Sequence, residues 1–225
     1  MAALKEHGLG FKAPMVRAIL AGTKTQTRRG VLGATGAFWD HAAWRPVLSP
    51  DGSGIVEWAT DGGTAPGPQP KAPHGPVGRR LWVRETYGLR SHTDFTDWYS
   101  KSIKGWRGPG LRAVDYRADY GCSQEGCFWR PSIHMPRWAS RITLEVTRVR
   151  VERVGDITPA DALAEGFADF PREPPDEDPR EVVYQQGVPG ALARDRFADL
   201  WDSINGAGSW AASPWVWVYD FRRVG

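Results

Sequence analysis

The chain contains 225 residues, and its 29 basic and 26 acidic side chains give a formal net charge of +3. A chain of this length supports one large domain or two small ones, with a core that folds without disulfide bonds. The two cysteines, Cys122 and Cys127, exclude the disulfide framework of a small secreted protein. No segment approaches the roughly 18–20 consecutive apolar residues of a membrane-spanning helix, and the N-terminus lacks the apolar region of a signal peptide. We therefore expect a soluble, cytoplasmic protein.

The basic residues are mostly arginine, 23 against 6 lysines, and the chain carries 12 tryptophans. Arginine and tryptophan are residues with which proteins hold phosphates and stack on bases. Both also have GC-rich codons, so a GC-rich genome would enrich them without any function. The genomic explanation is favoured, because several tryptophans fall on predicted core strands and helices: Trp82, Trp201, Trp215 and Trp217.

The first half of the chain predicts one helix, one strand and long loops. Residues 14–21 predict a short helix, with proline in its first turn and Gly22 as its C-terminal stop. Residues 81–85 predict a strand. Residues 50–78 contain 7 Gly and 6 Pro, a composition that argues against regular structure. Residues 91–130, aromatic and rich in glycine, predict an ordered insertion with short strands.

The clearest strand signal lies at residues 141–154. Ile142, Leu144 and Val146 share one face, and Val149 and Val151 keep the period of two after a slip of one residue. Such a slip inside a long strand predicts a β-bulge, which is common where a barrel bends.

The remaining elements complete an α+β pattern. Thr158 is the predicted N-cap of a helix that ends at Gly166. The apolar spacing around Phe197 predicts a second helix that ends at residues 205–206. Residues 215–221 predict a closing strand. Residues 171–181 are acidic and proline-rich, and predict an exposed loop. Strands and helices do not alternate regularly, so a doubly wound sheet is disfavoured and a compact β-barrel with short flanking helices fits best.

The most informative segment is residues 19–29, where the predicted helix ends and basic side chains follow. Lys24, Thr27 and Arg29 lie within one compact turn, and Thr27 and Arg29 share a face if the turn continues into a strand. Like charge from the neighbouring arginines would lower the pKa of Lys24, one way to make an amine a usable base. A solvated basic turn is the alternative explanation.

This segment resembles the signature of the ASCH domain, a small β-barrel of the PUA-like superfamily. The pattern is Gly-x-Lys-x-x-Thr-x-Arg after a short helix, and the resemblance continues through residues 78–90 and 129–222. It is closest to the larger ASCH-like proteins of phages and prophages. The resemblance implies a single domain over residues 1–225, with insertions at about 30–78, 91–130 and 168–190.

The ASCH family includes a bacterial amidohydrolase that removes the acetyl group of N4-acetylcytidine. The resemblance implies that its active Lys, Thr and Glu correspond to Lys24, Thr27 and Glu165, the last through a looser match of residues 164–166. Other relatives are thought to bind RNA, and some to cut it. The family therefore implies a pocket for a modified nucleoside, for RNA or for a single-stranded nucleic acid.

Amide hydrolysis needs a nucleophile, a proton acceptor and a group that holds the developing oxyanion. A threonine hydroxyl activated by lysine follows the logic of Ser–Lys hydrolases. Our hypothesis makes Thr27 the nucleophile, Lys24 its base, Glu165 a proton shuttle or orienting carboxylate, and Arg29 the group that holds substrate or oxyanion. No cofactor and no metal are expected.

Four further residues are candidates for binding substrate or nucleic acid: Arg28, Glu85, His134 and Arg137. Glu85 is either a second buried carboxylate or part of a surface ion pair, and His134 either lines a pocket or braces a proline-rich loop. Cys122 and Cys127, with His134, have unusual zinc spacing and lack a fourth ligand, so two ordinary thiols are the favoured interpretation.

Three functions remain open at this point: a nucleoside hydrolase, a non-catalytic RNA- or single-strand-binding module, and a ribonuclease that uses the same turn. In the binding module, Lys24, Arg28 and Arg29 would contact phosphate. The net charge of +3 is small for strong duplex binding and favours a small ligand or a short single strand.

Overall fold

A computed structural model of the chain describes residues 6–32, 45–48, 56–60, 63–64, 72–91, 111–120, 129–167 and 189–224. Its ten strands are β1 (His7–Gly10), β2 (Gln26–Gly30), β3 (Arg45–Leu48), β4 (Val56–Thr60), β5 (Gly63–Thr64), β6 (Arg80–Arg84), β7 (Tyr87–Ser91), β8 (Leu111–Tyr116), β9 (Thr143–Arg153) and β10 (Trp215–Arg223). Its α-helices are α1 (Ala13–Ala21), α2 (Arg117–Tyr120), α3 (Pro159–Ala164) and α4 (Pro189–Asn205).

The main sheet has five strands in the order β1-β6-β9-β10-β2. Strands β1 and β6 are parallel, and the other neighbours are antiparallel. The predicted slip in the long strand is confirmed, because Asp220 pairs with Arg148 and Phe221 with Val146, which leaves Thr147 as an extra residue in β9. This bulge lets both Val146 and Val149 face the core, where both are buried.

Two smaller sheets accompany the five-stranded one, and each includes at least one strand from a predicted insertion. Strands β3, β4 and β5 form one, and β7 pairs with β8 in the other. The short strands expected within residues 91–130 are therefore confirmed by β8. The prediction that residues 50–78 lack regular structure is wrong, because β4 and β5 lie within them. Strand β4 contains no glycine or proline, so the segment's average composition concealed a locally strand-prone stretch.

The helices begin and end where the capping residues predict. Gly22 ends α1 in the left-handed conformation, with φ 77°, and its N–H donates to carbonyls of the last turn. The Thr158 hydroxyl accepts from the Asp161 N–H at 3.1 Å and caps α3. Helix α4 ends at Asn205, as expected.

Strand β10 lies at the centre of the core. Val216, Trp217, Val218 and Tyr219 are all buried, so both faces of the strand are covered, as its apolar sequence predicts. The described sheets do not close into a barrel. The α+β class is thus confirmed, whereas the closed PUA-like barrel is not. No helix in the described segments is long and apolar enough to span a membrane.

Gly166, just after α3, occupies a position that excludes a side chain. Its φ is +94°, and an added Cβ would lie 2.9 Å from Ala18 Cβ and 3.0 Å from Lys24 Cβ. This glycine therefore allows the end of α3 to approach the turn that carries Lys24.

We predict that Gly166→Ala destabilises the protein more than Gly206→Ala. Both glycines have positive φ, but an added Cβ at Gly206 meets no atom within 4 Å. Gly206→Ala should cost only the backbone strain, about 1–2 kcal/mol, and Gly166→Ala about 1–3 kcal/mol more through overpacking. Urea unfolding of both variants measures the difference, and equal losses would contradict the close approach.

Candidate functional site

Lys24 lies in the turn between α1 and β2, and this turn is docked onto the end of α3. The Lys24 N–H donates to the Ala18 carbonyl at 3.1 Å, and the Thr25 N–H donates to the Ala164 carbonyl at 2.8 Å. Lys24 also forms an isolated β-bridge with Glu165. The backbone thus brings together two residues that are 141 positions apart in the chain.

The Lys24 ammonium is buried and fully hydrogen-bonded. Its Nζ donates to Glu165 Oε2 at 2.6 Å, to the Glu165 carbonyl at 2.8 Å and to the Gln26 carbonyl at 2.7 Å. Burial lowers the pKa of Lys24 below its ordinary value, and the Glu165 carboxylate opposes this shift. The like charges of Arg28 and Arg29 contribute less than burial does, so the pKa falls for a different main reason than the sequence suggested.

Glu165 is the centre of an ion-pair network that crosses strand β2. Its Oε2 contacts Lys24, and its Oε1 accepts from Arg28 Nη1 at 3.1 Å. Arg28 in turn donates from Nε and Nη2 to Glu152 Oε1, at 2.9 and 2.6 Å. Arg28 is 3% exposed, so contact between its guanidinium and a nucleic-acid phosphate would require this network to open.

Thr27 occupies the opposite face of β2 from Arg28, together with Arg29, as their spacing predicts. Thr27 pairs with Tyr219 of β10 and is 2% exposed. Its hydroxyl makes no hydrogen bond with another side chain among the described residues. Of the three residues expected to be catalytic, Lys24, Thr27 and Glu165, all are buried, and Lys24 and Glu165 are in direct contact.

Arg29 lies at the edge of this region. Its Nη2 donates to the Gly10 carbonyl at 2.9 Å, and its guanidinium stacks over the Phe11 ring at 5.5 Å. Lys24 Nζ lies 5.7 Å from the centre of the same ring. Phe11 is thus flanked by both cations, which orients Lys24 and Arg29 around one aromatic side chain.

Two residues that the sequence analysis did not single out, His74 and Tyr219, lie beside this site. The backbone N–H of His74 donates to Tyr219 Oη at 3.3 Å, and the centres of the two side-chain rings are 5.3 Å apart. Burial, reinforced by the charge of Arg29, lowers the pKa of His74 to about 4. The only hints in the sequence were a histidine within a proline- and glycine-rich loop and a hydroxyl on an apolar strand.

Glu85 is a buried carboxylate in a separate cluster. Its Oε1 and Oε2 accept from Arg141 Nε and Nη2 at 3.0 and 3.1 Å, and Arg141 also binds Asp119 at 2.8 Å. The Arg141 guanidinium lies 3.9 Å from the centre of the Tyr116 ring. Burial raises the pKa of Glu85, and Arg141 opposes this. The sequence left open a buried carboxylate or a surface ion pair at Glu85. The structure combines parts of both, because Glu85 is buried and ion-paired.

His134 and Arg137 lie on the exposed proline-rich loop and do not contact Lys24, Thr27 or Glu165. The His134 carbonyl accepts from the Tyr87 hydroxyl at 3.0 Å, and Arg137 pairs with Glu6 at 2.6 Å. Cys122 and Cys127 lie outside the described residues. Within the part of the chain that is described, no group of three or more His, Cys, Asp or Glu could hold a metal ion.

Comparisons with protein-family models, with curated proteins and with solved structures found no match for this chain. The resemblance to the ASCH family therefore rests on the sequence motifs quoted above.

We predict that His74 makes the protein lose stability between pH 6.5 and pH 4. In the native state its pKa is about 4, against an ordinary value of 6.5. As the pH falls through this window the unfolded chain takes up a proton that the native state does not, which costs about 3 kcal/mol of unfolding free energy by pH 4. Urea unfolding across this range measures the loss.

The variant His74→Gln should flatten this pH dependence, because it removes the titrating group. His134→Gln is the matched control, since His134 is exposed, and it should keep the wild-type profile. A wild-type profile in His74→Gln would contradict the assignment.

Proposed function

We propose that the chain is an amidohydrolase that removes an acyl group from the N4 amine of a modified cytidine. The observation that carries the proposal is the buried 2.6 Å contact between Lys24 and Glu165, with Thr27 buried on the adjoining strand. The substrate class comes from the resemblance of the Gly-x-Lys-x-x-Thr-x-Arg motif to the ASCH family. A barrel of the PUA-like kind and a cytoplasmic location belong to the same proposal.

In this mechanism Thr27 Oγ1 attacks the amide carbonyl carbon and forms an ester with the acyl group. Lys24 can accept the hydroxyl proton only in its neutral form, so the Nζ proton must first pass to Glu165 Oε2, 2.6 Å away. Burial favours this transfer, because a neutral pair is less costly to desolvate than two charges. The leaving N4 amine takes the proton from Lys24, and water then hydrolyses the ester.

Arg29 is the candidate for holding the substrate. It lies on the same face of β2 as Thr27, and it retains N–H donors beyond the one given to Gly10. Glu165, held by Arg28 through its other oxygen, keeps its carboxylate oriented towards Lys24. In this proposal Lys24, Thr27 and Glu165, the three residues expected to be catalytic, each have a defined chemical role.

The nucleic-acid-binding alternative is less well supported by the contacts of the arginines. Arg28 is bonded to Glu152 and Glu165, and Arg150 is bonded to Asp220 at 2.9 Å. Arginines engaged in this way are not free to neutralise phosphates. A binding module or a ribonuclease would require other basic residues to supply the steep salt dependence of phosphate contacts.

The test measures acetate release from N4-acetylcytidine. Lys24→Ala and Thr27→Val should each lower kcat/KM by at least about 100-fold, because they remove the base and the nucleophile. Thr27→Ser, which keeps the hydroxyl, should retain part of the activity. Circular dichroism and thermal unfolding check that each variant is folded.

The matched controls are Lys12→Ala and Thr25→Ala. Both residues are exposed, and Thr25 lies in the same turn as Lys24, so both variants should keep the wild-type rate. The proposal fails if folded Lys24→Ala and the wild type release acetate at the same rate. It also fails if the wild type is inactive but binds single-stranded RNA with a steep salt dependence.

A further inference from the structure

Among the described residues, a group of basic side chains that no carboxylate contacts lies beside the Lys24 site. We call Arg29, His74, Arg84 and His7 the basic cluster; they come from β2, from the loop before β6, from β6 and from β1. The charged groups that act on His74 are Arg29, His7 and Arg84, and all three lower its pKa. Tyr219 of β10 completes the surroundings of His74.

The absence of a carboxylate contact within the described segments distinguishes this cluster from the other partly buried arginines. Arg28, Arg141 and Arg150 each bind at least two carboxylates. Arg29, in contrast, has no carboxylate within 4.0 Å among the described residues; Glu165 attracts it only from a greater distance, and burial outweighs that attraction and lowers the pKa of Arg29. A desolvated cation that no anion contacts is costly, so an external anion would stabilise it.

The cluster also holds polar atoms that lack a hydrogen-bond partner. Arg29 gives one N–H to the Gly10 carbonyl and stacks on Phe11, which fixes the plane of its guanidinium. His74 Nδ1 and Arg84 Nε are buried and make no hydrogen bond with any described residue. Buried unsatisfied polar atoms are uncommon, and two of them beside an unpaired guanidinium indicate a missing ligand.

We propose that the basic cluster binds the phosphate monoester of the substrate, so that the site acts on a phosphorylated nucleoside rather than on a free nucleoside. The substrate class rests on the proposed function, whereas the phosphate subsite rests on the cluster alone. A phosphate dianion matches the planar fork of Arg29 and balances more than one cation. Because Tyr219 is buried and Arg29 and His74 are mostly so, a terminal phosphate fits the site better than a continuous nucleic-acid backbone.

The bound anion would also change the protonation of His74. Arg29, His7 and Arg84 disfavour a charged imidazole, and an anion beside them offsets that repulsion. His74 then takes up a proton, and its imidazolium N–H donates to the phosphate. Binding at this subsite is therefore coupled to proton uptake and strengthens as the pH falls from 7 to 5.

Isothermal titration calorimetry with cytidine and cytidine 5′-monophosphate tests the subsite. The monophosphate should bind at least about tenfold more tightly than cytidine, the effect of roughly one charged hydrogen bond. Arg29→Gln should abolish this preference, measured as the ratio of the dissociation constants of cytidine and its monophosphate. Arg148→Gln, which removes an exposed arginine of β9, is the matched control and should keep the preference.

A second arm isolates the proton coupling. Inorganic sulfate does not titrate between pH 5 and 7, so any change in its affinity reports the protein. Sulfate should bind more tightly at pH 5 than at pH 7, and His74→Gln should remove that dependence. Affinity that is independent of pH in the wild type would overturn the role of His74.

Equal affinities for cytidine and its monophosphate, or a preference that survives Arg29→Gln, would overturn the phosphate subsite. So would tighter, steeply salt-dependent binding of a 5′-phosphorylated oligonucleotide, which would assign the cluster to a nucleic-acid backbone. These binding results do not depend on catalysis. Acetate release from N4-acetylcytidine without a preference for the monophosphate would thus refute the subsite alone, and the preference without acetate release would refute the hydrolase alone.

Discussion

A buried ion pair between Lys24 and Glu165, 2.6 Å long, organises the region that the proposed chemistry uses. It joins the turn after α1 to the residue that ends α3, and both side chains are almost completely buried. Buried ion pairs seldom add net stability, because desolvation offsets the attraction, but they fix geometry. Here the fixed geometry is the entry of β2 into the main sheet, and therefore the positions of Thr27, Arg28 and Arg29.

The side chains of strand β2 alternate between two faces that have different roles. On one face Arg28, Glu152 and Arg150 form a saturated network of ion pairs, which leaves little capacity to bind a ligand. On the other face Thr27 and Arg29 retain hydrogen-bonding capacity. One carboxylate, Glu165, accepts from Arg28 through one oxygen and from Lys24 through the other, so the saturated network holds the carboxylate that receives the Lys24 ammonium.

Local signals in the sequence were sufficient to predict most of the main elements. The ends of α1 and α3 follow from Gly22 and Thr158, and the slipped alternation near Val146 correctly predicts the bulge in β9. These features depend on neighbouring residues, so the sequence contains the information directly. Strand β4 was missed because the glycines and prolines around it dominated the composition of residues 50–78.

The site could be predicted only in part, because its charge balance is set by tertiary contacts. Arg28 and Arg29 are adjacent and chemically identical, yet Arg28 binds carboxylates 124 and 137 residues away, whereas Arg29 contacts no carboxylate in the described part of the chain. Likewise His74 comes from a loop without periodicity and meets Tyr219, 145 residues away. Pairings of this kind follow from the sheet order, which no local pattern encodes.

The most direct test of the account is the pKa of Lys24, measured by NMR on protein labelled with ¹⁵N at the lysine side chains. Only 6 lysines are present, so each Nζ signal can be assigned by substitution. We predict that Lys24 titrates below its ordinary value of 10.5, and that Glu165→Gln lowers the pKa of Lys24 further by removing the carboxylate. A Lys24 signal that titrates at its ordinary value, and does not respond to Glu165→Gln, would contradict this.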